Sequence, residues 1–120
     1  APDSPNTTWR ATATKALATL KEFDPDLICV SAGFDAYKHD PLCQQKLEIE
    51  DYTWIAQQLR ALKKPQANIL EGGYSTDLPK LVLAYLKGLA KTKKRARRPV
   101  FKLVVPTVLA GYRSDKNHFF

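Results

Sequence analysis

The stretch DLICVSAGFDAYKHDPL, residues 26–42, decides the fold class of this chain. It opens as an apolar run rich in β-branched residues, passes through Gly33, and ends on Phe34, Asp35 and then Asp40-Pro41. A short continuous apolar run of this kind is the pattern of a β-strand covered on both faces. An aspartate at the mouth of such a strand can cap a helix, form a turn or hold something positive. The flanking sequence narrows the choice.

Upstream, Trp9, Ala13, Ala16, Leu17, Leu20 and Phe23 fall on one face of a helix predicted over 8–23. Thr7 or Thr8 is placed to cap it, and Asp24-Pro25 stops it, because the residue before proline is pushed out of the helical region. After a loop to about Ile49, EDYTWIAQQLRALKK repeats the stripe with Tyr52, Ile55, Ala56, Leu59 and Leu62, and Pro65 ends it. ANILEGGY is a second short strand running into Gly72-Gly73. STDLPKLVLAYLKGLA then restarts a helix, with Ser75, Thr76 or Asp77 capping and Pro79 in its first turn.

Helix, strand, helix, strand, helix is the order of a right-handed βαβ unit with parallel strands. Open parallel sheets bind ligands beyond the carboxyl ends of their strands. The two ends here carry SAGFDA and EGGY, so neighbouring strands would set Asp35 and Tyr74 on one edge. A carboxylate there is a hard oxygen donor suited to Zn²⁺ or another divalent ion. A tyrosine hydroxyl beside the ion can hydrogen-bond an oxyanion forming on an attacked carbonyl. Gly33, Gly72 and Gly73 permit a sharp turn or a close substrate approach. One carboxylate is not a zinc site, which takes three protein ligands when catalytic. The alternative stands: Asp35 as a cap or loop former, Tyr74 as a half-buried aromatic.

Composition sets the bounds. A chain of 120 residues with 44% apolar side chains is one globular domain at most. It contains no methionine, so it is expected to begin after processing or within a longer gene product. Its start lacks the basic and apolar regions of a secretory signal, and no run is long enough to cross a membrane. Cys29 and Cys43 do not form a CxxC and are expected to be free thiols in a reducing, intracellular compartment. The net charge of +7 comes largely from KTKKRARRP, in which Lys91, Lys93, Lys94, Arg95, Arg97 and Arg98 are basic. Such a run is a solvated linker, or a weak contact for nucleic acid or another polyanion. It has no interleaved aromatics to stack bases.

PDLICVSAGFDAYKHDPL, followed about thirty residues later by LEGGYS, resembles the C-terminal part of the histone deacetylase superfamily, over about residues 9–89. That superfamily includes acetoin-utilisation proteins and acetylpolyamine amidohydrolases. The resemblance implies a three-layer α/β domain with a parallel sheet of the arginase/deacetylase type. Only part of it lies here: residues 1–90 form the C-terminal part of the domain, 91–99 a basic linker, and 100–120 an extension of unknown role. It implies that Asp35 is one zinc ligand, that Tyr74 polarises the scissile amide carbonyl, and that Gly72 and Gly73 line the acyl-lysine channel. Asp40 is implied to be a loop-ordering carboxylate, with Pro41 fixing the turn.

The chain also departs from the family pattern. The DxH motif that carries the other two zinc ligands, and the catalytic histidine pair, are absent. Tyr37 stands where family members tend to have histidine, and CQQ follows DPL in place of glycines. His39 falls beside that position as a solvent-exposed loop residue, and His118 lies in the unmatched tail. Two functions are therefore expected. One is the C-terminal portion of a zinc-dependent deacetylase-like amide hydrolase, inactive as an isolated chain, with Zn²⁺ bound only when the missing ligands come from an N-terminal half or another protein chain. The other is a non-catalytic remnant of that fold, serving as a structural or interaction subunit whose basic extension contacts nucleic acid or an acidic partner. No membrane association is expected from either.

Overall fold

A computed structural model of the chain describes residues 6–43 and 45–90. Helix α1 runs over Asn6–Phe23, strand β1 over Ile28–Ala32, helix α2 over Ile49–Ala61, strand β2 over Gln66–Leu70 and helix α3 over Leu78–Leu89. The expected order holds throughout. α1 starts before the predicted boundary, so Thr7 and Thr8 occupy helical positions and neither caps it. Hydrophobic periodicity marks the face of a helix and leaves its ends open. At the far end Asp24 turns left-handed at φ 53°, and its N–H donates to the Leu20 carbonyl at 3.2 Å. Aspartate tolerates that conformation, and Pro25 then forbids a return to helix. α2 likewise ends ahead of Pro65, with Lys63 left-handed at φ 56°.

β1 and β2 pair directly and in parallel, Ile28 opposite Gln66 through Ala32 opposite Leu70. Side chains alternate across a strand. Ile28 is buried, and Val30 and Ala32 pack against the core, as Leu70 does from β2. Cys29 and Ser31 point the other way and are exposed. The expectation that β1 is covered on both faces is thus not met among the described residues. An apolar run looks the same in sequence whether its second face is covered by this chain or by something else.

The helical layer is fastened at defined points. The fully buried carboxylate of Asp51 accepts the Glu48 N–H at 2.8 Å, closing the start of α2, and the Arg10 Nε–H at 2.6 Å. Arg10 also lies over the Trp54 ring, and Trp9 meets that ring edge-on at 6.0 Å, so α1 docks on α2. α2 and α3 approach so closely that a Cβ on Gly88 would lie 2.4 Å from the Thr53 carbonyl oxygen. Phe34, Tyr52 and Tyr85 form an aromatic cluster over the sheet, with centroids 5.1 and 5.9 Å from Phe34. Their hydroxyls are accommodated: Tyr52 donates to the Phe34 carbonyl and Tyr85 to Asn68 Oδ1. A buried hydroxyl left without a partner would cost about 1–3 kcal/mol.

Candidate active site at the carboxyl edge of the sheet

Beyond Ala32 and Leu70 the two strands stop pairing regularly but stay tied. Glu71 N–H donates to the Ala32 carbonyl at 3.2 Å, and Phe34 N–H to the Gly72 carbonyl at 2.6 Å. This brings GFDA against EGGY, as strand adjacency required. The Asp35 carboxylate lies directly over Gly72, where an added Cβ would sit 2.9 Å from Oδ2. Gly33 is the second neighbour, its Cβ position 3.4 Å from Oδ1. A side chain at Gly72 would therefore displace the carboxylate from the place it takes. At Gly73 the backbone itself calls for glycine: its φ of 138° is open to glycine, and a Cβ would press on Phe34 Cβ at 2.9 Å.

Asp35 is half-buried, whereas Tyr74 is 60% exposed. Phe34, between Gly33 and Asp35, is only 2% exposed and anchors the loop in the core. The HDPL turn behind them is built by Asp40. Its Oδ1 accepts the N–H groups of Leu42 at 2.9 Å and Cys43 at 3.2 Å, and its Oδ2 accepts the Tyr74 N–H at 2.8 Å. Burial works to raise this carboxyl, but the backbone donors from Leu42, Tyr74 and Cys43 outweigh it and hold it below the usual carboxylate range. Tyr37 is buried and donates its hydroxyl to Asp77 Oδ2 at 3.2 Å, and burial followed by the Asp77 charge pushes its phenol up. Asp77 stands at the N-cap position of α3 but makes no capping bond, because its carboxylate is held by Tyr37 and Lys80. His39 is exposed and lies edge-on to Tyr37 at 5.3 Å. A cavity of about 220 Å³ among Trp9, Val30, Phe34, Leu47 and Tyr52 includes neither Asp35 nor Tyr74 in its lining.

The model of the histone deacetylase domain matches residues 3–89. The chain belongs to the histone deacetylase family. It is 40% identical over 73 residues to a probable deacetylase of Methanothermobacter thermautotrophicus, covering 60% of this chain and 22% of that protein. It is 33% identical over 69 residues to acetylpolyamine amidohydrolase 1 of Pseudomonas aeruginosa, covering 58% of this chain and 20% of that one. The crystal structure of an acetylpolyamine aminohydrolase from Burkholderia pseudomallei superposes with a TM-score of 0.60 at 30% identity, over 62% of this chain and 22% of that chain. The deacetylase-family chain thus spans about a fifth of the length of these relatives. The expected fold class stands, as a parallel α/β portion of that architecture.

Do the residues of this deacetylase-family chain fit a zinc ion? The donor type fits, since Asp35 offers a hard oxygen beyond a strand end. The donor number does not: among the described residues no group of three or more His, Cys, Asp or Glu side chains converges. Both cysteines are free thiols, as expected, and Cys29 faces outward from β1. No helix among the described residues is long and apolar enough to cross a membrane. Lys91, Lys93, Lys94, Arg95, Arg97, Arg98, His118 and the 100–120 extension lie outside the described residues. The sequence reading missed the Asp40–Tyr74 bond and the Tyr37–Asp77 pair. Their partners are 34 and 40 positions apart, so no local pattern signals either.

Proposed function

We propose that this chain supplies the C-terminal part of the active site of a zinc-dependent amide hydrolase acting on acetyl-lysine or acetyl-amine substrates, and that the isolated chain is inactive. The observation that supports it best is the meeting of Asp35 with Gly72 beyond two directly paired strands, with Tyr74 exposed beside them. In this reading Asp35 contributes one metal donor and Gly72 and Gly73 line the acyl channel. The Tyr74 hydroxyl donates to the amide oxygen as that oxygen gains negative charge. The other ligands and the general base come from an N-terminal half or a separate chain.

The test joins the chain to a complementary N-terminal portion of a family member and measures zinc content and hydrolysis of acetyl-lysine peptides and acetylpolyamines. The chain alone should show neither, and the joined form both. Tyr74→Phe should keep the zinc and lower kcat by about 10²–10³-fold. Asp35→Ala should lose the zinc. Zinc-dependent turnover by the isolated chain would overturn the claim of inactivity. The non-catalytic alternative is favoured by the shortage of converging metal donors and by the outward face of β1, both among the described residues. It predicts no zinc in the joined form, a stable protein partner, and binding that falls steeply with salt if the basic run meets nucleic acid.

A further inference from the structure

We infer that Asp40 is a positioning residue for Tyr74: its carboxylate replaces the strand carbonyl that the Tyr74 N–H would otherwise need, and so fixes the backbone from which the phenol projects. The inference rests on the catalytic reading of Tyr74 for its functional consequence, but not for its geometry. Regular pairing ends at Ala32–Leu70, and Glu71 N–H and Phe34 N–H still find backbone carbonyls across the gap, those of Ala32 and Gly72. At Tyr74 the acceptor is a side chain, Asp40 Oδ2 at 2.8 Å. The same carboxylate uses Oδ1 to hold the N–H groups of Leu42 and Cys43. One buried group, 8% exposed, thus joins the turn after GFDA to the end of GGY. The Asp40 N–H donates to the Tyr37 carbonyl at 2.9 Å, so the clamp is itself anchored to the buried part of the loop.

Tyr74 needs such a clamp because its side chain is 60% exposed and so has little packing to orient it. Gly73 before it has no side chain to resist rotation and sits at φ 138°. Backbone order at residue 74 is then the main constraint on where the hydroxyl points, and charge-assisted bonds to a carboxylate are the strong kind. Asparagine in place of Asp40 keeps the shape but carries a single acceptor oxygen; with that oxygen holding the two N–H groups of the turn, its amide NH2 faces the Tyr74 N–H and cannot accept from it.

The test is residue-resolved amide hydrogen exchange on the full chain, wild type against Asp40→Asn. In the wild type the Tyr74 amide should exchange at least tenfold more slowly than in an unstructured chain, although its side chain is exposed. Asp40→Asn should remove that protection while the amides of α2 and α3 keep theirs. Either an unprotected wild-type Tyr74 amide, or unchanged protection in the variant, overturns the inference. If Asp40→Asn does not fold, the wild-type measurement decides alone. In the joined, active form, Asp40→Asn should lower kcat at least tenfold with KM within about twofold, and Asp40→Glu should restore part of kcat. A loss confined to KM would refute the positioning role. Tyr74→Phe keeps the N–H, so full activity in that variant would sink the catalytic reading while leaving the clamp to the exchange result.

Discussion

The α2–α3 interior and the carboxyl edge of the sheet solve opposite problems with the same kinds of residue. In the interior, tyrosines are buried and their hydroxyls are directed inward, Tyr52 to Phe34 and Tyr85 to Asn68. At the edge, Tyr74 is exposed and its N–H, not its hydroxyl, is the group the protein holds. Glycine differs in the same way. Gly88 lets two helices touch, whereas Gly72 makes room for a carboxylate. Polar groups in the interior satisfy the fold, and those at the edge fix a backbone while leaving chemistry facing out.

The contrast can be broken most severely from the interior. Leu81 is fully buried in the core cluster, so Leu81→Ala should destabilise the chain by about 2–5 kcal/mol in urea unfolding. A loss below about 1 kcal/mol would mean that the helical layer is not a packed core. Next comes alkali. Burial pushes the Tyr85 phenol up to about 12, while the unfolded chain ionises near 10. A raised folded value means the contribution is whole below pH ~10 and is lost as pH rises toward ~12, by roughly 2–3 kcal/mol. Tyr85→Phe should flatten that decline; an unchanged alkaline profile would assign it elsewhere.

Gly73→Ala is the corresponding blow to the edge. The left-handed backbone and the contacts with Phe34 and Leu78 predict a loss of about 1–3 kcal/mol, read by thermal or urea unfolding. A neutral result would show that the loop simply rearranges. Smallest of all is Tyr74→Phe, expected to change stability by less than about 0.5 kcal/mol because an exposed hydroxyl supports no packing. A larger loss would make Tyr74 a structural residue and erase the contrast between the two regions.

Much of the fold was legible in the sequence because the helices carry apolar stripes and the strands are short apolar runs ended by glycine. Asp35 and Tyr74 were legible as strand-end residues, and strand pairing brings their loops together. The roles proposed for them rest on what a carboxylate and a phenol can do and, above all, on family resemblance. Of Ser75, Thr76 and Asp77, it is Asp77 that stands at the N-cap of α3, but it makes no capping bond because Tyr37 and Lys80 take up its carboxylate. The expected covering of β1 is not met among the described residues, because an apolar run does not say what covers it.

Local sequence by itself determined the order of elements, the parallel crossover and the place of the acidic strand end, all of which follow from periodicity and steric rules acting over a few residues. Only the tertiary structure decided that Asp40 holds Tyr74, that Asp51 joins α1 to α2, and that one face of β1 is left uncovered by the described residues. Those outcomes depend on groups far apart in the chain meeting at hydrogen-bond distance. Such meetings are set by how whole layers pack, and no short stretch of sequence encodes them.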